Sequence, residues 1–247
     1  LVFVLVNEGR VDEAVKLGRE AVEAKQERLG ASDNESIKAV ANLAIALREQ
    51  SRRNEAAVLL LERQVGKAAE VEQLVVKSRA ALKEAEQLAR GAVESWAGTR
   101  GRGDPATLAP MGTLANVLTD QGKLDEAEPL LREARASWLE ARGPRDQDYL
   151  RCLGNLSKLL QQQGKFAEAE PLLHEALEAK REVKGPRHQE YLGDLNNLAG
   201  LYASLGKFAQ AEPLMRKALE AHREVLGPRH PTTLTFVNNL AFVLEEL

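Results

Sequence analysis

The sequence predicts an all-α protein, an α-solenoid of stacked antiparallel helix pairs. Three observations predict it. Of the 247 residues, 44% are hydrophobic but only 4% aromatic. Ala, Leu, Glu, Lys, Arg and Gln dominate and β-branched residues are sparse, the composition of strong helix formers. The chain also repeats itself. The stretch GKFAEAEPLLHEALEAKREVKGPRH, from Gly164 to His188, matches GKFAQAEPLMRKALEAHREVLGPRH, from Gly206 to His230, at 19 of 25 positions, 42 residues away. Finally, apolar residues within each unit recur at helical spacing in two runs separated by glycine.

The units are in register on the Gly of GK. They start at about Gly9, Ser51, Gly122, Gly164 and Gly206, with Ser51 standing where the others have Gly. In the first helix of a unit, Leu195, Leu198, Ala199 and Tyr202 share one face. Gly206 ends that helix as a left-handed residue. The second helix lines up Phe208, Ala211, Leu214, Met215 and Ala218. Pro213 is expected in its first turn, where a missing N–H costs nothing, and Pro129 and Pro171 repeat that placement. The run LGPRHP, Leu226 to Pro231, ends it with Gly past the end and Pro after. A β-propeller blade of similar period would need short alternating strands, and there are none. One hairpin cannot bury its own apolar face, so identical hairpins stack and each closes its neighbour's core.

From Ser51 to Gly122 is 71 residues, 29 more than the regular step. The extra residues lie at about 58–85, read as helical, and carry an internal echo, EVEQL at Glu70 and EAEQL at Glu84. One continuous helix would keep its apolar stripe in phase but run about 40 Å longer than its sisters. A break at Gly66 or near Ser78-Arg79 would give an extra antiparallel helix pair, the arrangement expected here. The opening residues LVFVLVNEG align with the closing LAFVLEEL. Residues 1–247 therefore read as a single array that begins and ends on first helices, a piece of a longer chain.

The order Leu195, Leu198, Ala199, Tyr202, Gly206, Phe208, Ala211, Met215, Ala218 resembles the tetratricopeptide repeat, with its bulky residue, Leu and small residue, aromatic, Gly, aromatic and Ala. The usual period of that repeat is about 34 residues. The longer period, with the wording NNLAGLYASLGKFAQAEPLMRKALEAHREVLGPRHPTTL and its LG-x-x-HP link, is similar to the kinesin-light-chain class. The resemblance covers nearly the whole chain outside the insertion. Departures are Arg142 and Lys184 where Leu226 stands, Asp104 and Asp146 where His stands, and Ser51 for Gly. It implies a tetratricopeptide superhelix and a protein-interaction scaffold.

Nothing in the sequence assembles a catalytic site. HEALE at His174 lacks the second His of a zinc-protease helix, and VGKA at Val65 lacks the rest of a phosphate loop. Cys152 has no His near it in sequence and reads as a structural thiol. His188 and His230 share a loop position with Asp33, Asp104 and Asp146, each about one repeat from the next, too far apart to share a metal. Helix capping is the better account. No enzyme activity, metal, cofactor or small-molecule substrate is expected. The net charge of -3 argues against nucleic acid, and no apolar run reaches membrane-spanning length. A lone cysteine favours a reducing compartment, the cytoplasm.

Binding remains. The resemblance implies a concave groove lined by first helices, and carried over position by position it names Lys38, Ala41, Ile45 and Arg48, then Gly112 and Asn116. Next come Arg151, Gly154, Lys158 and Gln161, then Asn196 and Gly200, then Asn238 and Phe242. Lys and Arg at the centre suit an acidic peptide segment of a protein partner, although Glu49, Asp120, Glu245 and Glu246 edge the same face. Asn can hold both N–H and C=O of an extended peptide. A second ladder, Asn42, Asn155, Asn197 and Asn239, sits nearer the helix–helix seam and reads as structural. Trp96 and Trp138, at one repeat position, are candidates for a second surface or for local packing. The expected function is an adaptor of the kinesin-light-chain kind. The alternatives are a regulatory arm of a multidomain signalling NTPase or protease, and a structural spacer.

Overall fold

The computed structural model describes residues 1–31, 33–62 and 67–247. Among them are eleven helices and no strand: α1 (Val2–Asn7), α2 (Val11–Leu29), α3 (Asn34–Leu61), α4 (Ala68–Arg100), α5 (Pro105–Asp120), α6 (Leu124–Arg142), α7 (Gln147–Gln162), α8 (Phe166–Lys184), α9 (Gln189–Ser204), α10 (Phe208–Leu226) and α11 (Pro231–Glu245). The chain divides into two compact units, Leu1–Ser137 and Trp138–Leu247. In the first, α1 packs on α2 and α3, α2 on α3, α3 along α4, and α4 on α5. In the second, α7, α8, α9, α10 and α11 each pack on the next. Each unit is a stack of antiparallel helix pairs, the architecture expected of an α-solenoid.

Local chemistry sets the helix ends. Asp33, Asp104 and Asp146 are N-caps whose carboxylates accept from the N–H two residues on, at 2.8, 2.8 and 2.9 Å. His188 and His230 cap in the same way through Nδ1, each accepting at 3.2 Å. The five loop residues that raised the question of a metal are thus N-caps of first helices. At the other ends, Gly122, Gly164 and Gly206 follow α5, α7 and α9 with φ of +75°, +73° and +68°. Only glycine adopts that region without strain.

Ser51 breaks this rule, and the inserted residues come after it. Ser51 is helical and buried, so α3 does not end there but runs on to Leu61. It is 28 residues long against 16 for α5, α7 and α9. Its partner α4 has 33 residues against 19 for α6, α8 and α10. The extra residues lengthen both helices of one hairpin, each by about 20 Å at 1.5 Å per residue. This differs from both arrangements weighed from sequence, a single long helix and an added pair. The expected break near Ser78-Arg79 is absent, since α4 passes through it; Gly66, the other expected break, lies outside the described residues. The Ser78 hydroxyl instead meets that of Ser51 at 2.6 Å and donates to Glu55 at 3.0 Å. This buried polar clasp fixes the register of the two arms.

The prolines also differ from expectation. Pro129, Pro171 and Pro213 are each the sixth residue of a helix, not in the first turn, because α6, α8 and α10 start at Leu124, Phe166 and Phe208. All three are exposed. For Pro213, the carbonyl deprived of its partner belongs to exposed Ala209, which water can satisfy.

Candidate peptide-binding face

In the first unit, the face carried by α3 and α5 is largely engaged with itself. Lys38 pairs with Glu35 at 2.7 Å, and Lys38 with Lys25 holds the Glu35 carboxyl below its usual range. The Arg48 guanidinium donates to Asp120 at 2.6 Å, with side chains only 16% and 10% exposed. That pair ties α3 to α5. Ala41, Ile45, Gly112 and Asn116 are half-buried beside it.

In the second unit, Arg151 on α7 is exposed and pairs with Asp148 at 2.7 Å. Lys158, two turns on, is also exposed, and the Gln161 amide donates to the Ser157 carbonyl at 3.3 Å. On α9 and α11 the candidates converge. The Asn239 amide donates to the Asn196 carbonyl oxygen at 3.0 Å. Around that bond lies an open hollow lined by Asn196, Gly200, Ala203, Ser204, Met215, Asn239 and Phe242. Phe242 is 53% exposed, and its ring stands edge-on to Phe208 with centroids 6.4 Å apart. Asn238 is exposed beside it.

Asn239 belongs to the structural ladder by its seam position, yet it also lines the hollow. Of its ladder companions, Asn42 and Asn197 are exposed and Asn155 is half-buried. Ala203, Ser204 and Met215 are lining residues that the repeat positions do not name. Small residues one turn beyond Gly200 are the available signal, since they leave room above a helix.

Residues 109–182 match a family model for the tetratricopeptide repeat, and residues 195–232 match a second tetratricopeptide repeat model. These two stretches are tetratricopeptide repeats. The fold is shared with BtubC (BKLC) from P. vanneervenii, at a TM-score of 0.70 and 20% identity over 96% of this chain and 84% of that one. It is shared too with the nearly identical TPR-like repeats of a Podosopora anserina protein named for kinesin light chain, at 0.64 and 20% over 91% and 92%. A single-substitution form of the latter gives 0.66 and 19% over 92% and 93%. No curated protein matches the sequence. The tetratricopeptide repeats here are kinesin-light-chain-like in fold, and repeats of this type are protein-interaction scaffolds.

The two tryptophans are not a second surface. Trp96 is 4% exposed and packs with Ile37, Val40 and Ala92, its indole N–H donating to Asn34 at 3.2 Å. Trp138 is likewise 4% exposed, with the Arg142 guanidinium 5.6 Å above its ring. The reason is position. The end of the second helix faces the seam between repeats, and a large apolar side chain there fills it. Lys180 and His222 occupy the same position further along and are also buried. Lys180 meets Asp194 at 2.8 Å, though burial still pushes the Asp194 carboxyl up. The His222 ring packs on Phe236 at 4.2 Å, and burial, with the nearby His230, holds its pKa below the usual value. No described helix is long and apolar enough to cross a membrane.

Proposed function

We propose that this protein is a non-catalytic adaptor that holds an extended segment of a partner protein against its first helices, as a kinesin-light-chain-like scaffold. The observation that carries the reading is the hollow between α9 and α11. There, two Asn side chains offer amide and carbonyl groups to a peptide backbone, beside exposed Phe242 and the small residues Gly200 and Ala203. An apolar side chain of the segment would enter the hollow, and the Asn pair would exchange its mutual bond for bonds to the main chain.

Charge supports a preference for carboxylates on the α7 side. In the Arg151–Asp148 pair the side chains are 62% and 32% exposed, and pairs with an exposed guanidinium are worth about 1 kcal/mol or less, so a ligand carboxylate can compete for Arg151. Arg48, held by Asp120, does not offer itself in that way. The single, buried Cys152 fits a reducing compartment and so supports a cytoplasmic adaptor.

A peptide array probed with the purified chain, in parallel with an Asn196→Ala/Asn239→Ala variant of matching circular dichroism, tests the reading. Peptides bound by the parent and lost by the variant are the expected result. Peptides retained by both would remove the hollow from the account.

A further inference from the structure

The arms of α3 and α4 carry more apolar surface than a two-helix hairpin can bury. Ala56 to Leu61 are six consecutive apolar residues, and at 100° per residue they ring the whole helix. Val58 alone among them is buried; Leu59 and Leu60 are 65% and 69% exposed, and Val76 on α4 is 60% exposed. A helix apolar all round belongs in an interior.

One side of the hairpin faces α2. A hollow toward α2 is lined by Asn54 and Ala57 of α3 and by Leu74 and Lys77 of α4. Residues two positions from these point the other way, about 200° round the helix. They are Arg52, Ala56 and Leu59 on α3, and Glu72, Val76 and Arg79 on α4, all exposed.

Charge is ordered along that side. On α4, Arg79 lies toward the base and Glu72 toward the tip, while Arg52 on α3 is already paired with Glu49 at 3.3 Å and Asp120 at 3.7 Å. Tip and base are therefore complementary to each other, the pattern of a surface that matches itself under a two-fold rotation.

We propose that this face pairs two copies of the chain, hairpin against hairpin and antiparallel, as a four-helix bundle. Val76 sits near the two-fold axis, Leu59 is covered, and Glu72 meets Arg79 of the second copy on each side. On α3 this face continues the stripe of Arg48, through Arg52 and its contact with Asp120, and the hollow of α9 and α11 is no part of it.

Sedimentation of the chain across a concentration series tests it. A reversible dimer is expected. Leu59→Glu/Val76→Glu should be monomeric with unchanged helicity, since both positions are exposed. Glu72→Arg should weaken the dimer by at least about tenfold through like-charge contacts, and adding Arg79→Glu to it should restore the affinity. A wild-type chain that stays monomeric at every concentration overturns the proposal and leaves the face to a different protein. So does a dimer indifferent to Leu59→Glu/Val76→Glu, or a charge swap that fails to rescue.

Discussion

The hairpin of α3 and α4 and the hairpin of α9 and α10 follow one repeat pattern and differ in two linked ways, a Ser in place of the helix-ending Gly and 29 extra residues. Where α9 meets Gly206 at φ +68°, it stops after 16 residues and the chain turns back. Where α3 meets Ser51, nothing stops it, and both helices grow an arm. Helix length in this array is set by where a left-handed residue is available, more than by helix propensity, which is high throughout. The seams differ as well. Trp96 seals its seam in the first unit with apolar area, while Lys180–Asp194 and His222–Phe236 seal theirs in the second with a buried ion pair and a buried imidazole.

The seams are the harsher place to break that comparison. Trp96→Ala should cost about 3–5 kcal/mol, read as a lowered unfolding midpoint in urea, because it opens a cavity and orphans the Asn34 contact. Asp194→Ala should cost about 3 kcal/mol by leaving Lys180 charged and buried, and Lys180→Met/Asp194→Leu should recover most of it. If the double variant is as unstable as the single one, the ion pair is doing more than filling the seam.

The helix stops give smaller effects. Gly206→Ala should cost about 1–2 kcal/mol from backbone strain alone, since no atom lies within 4 Å of the added methyl. Ser51→Gly should cost about 1 kcal/mol in helix propensity and about 1 kcal/mol more for the lost hydroxyl contacts to Ser78 and Glu55, and should raise amide exchange in residues 52–61 selectively.

The smallest expected effect is on pH. Burial lowers the His222 pKa from the ordinary value of 6.5, so its stabilising contribution is full above that value and is lost as pH falls through the lowered one. Thermal unfolding followed from neutral pH downward should show a decline that His222→Phe reduces. Asp194, raised from 3.8 by burial, acts in the opposite sense at lower pH, favouring the fold on protonation. An acid decline that His222→Phe leaves untouched would assign it to other groups.

Much of this is legible in the sequence, because repetition turns a local signal into a period. The positive-φ glycines, the loop caps and the apolar faces recur every 42 residues and are found where spacing puts them. Ser51 is visible as a departure, but its consequence depends on a clasp with Ser78, 27 residues away, which no local pattern announces. Trp96 and Trp138 are surface or seam according to a neighbouring helix that sequence alone does not position. Asn196 and Asn239 illustrate the same limit at the candidate face: each is identifiable as a repeat position, yet only packing of α9 beside α11 brings them within 3.0 Å.

The most direct test of the account is amide hydrogen exchange with a bound peptide selected by the chain. Protection is predicted on α9 and α11, around Asn196 and Asn239, with the arms of α3 and α4 unchanged. Protection confined to residues 52–61 and 68–81, with α9 and α11 exchanging as in the free protein, would contradict it.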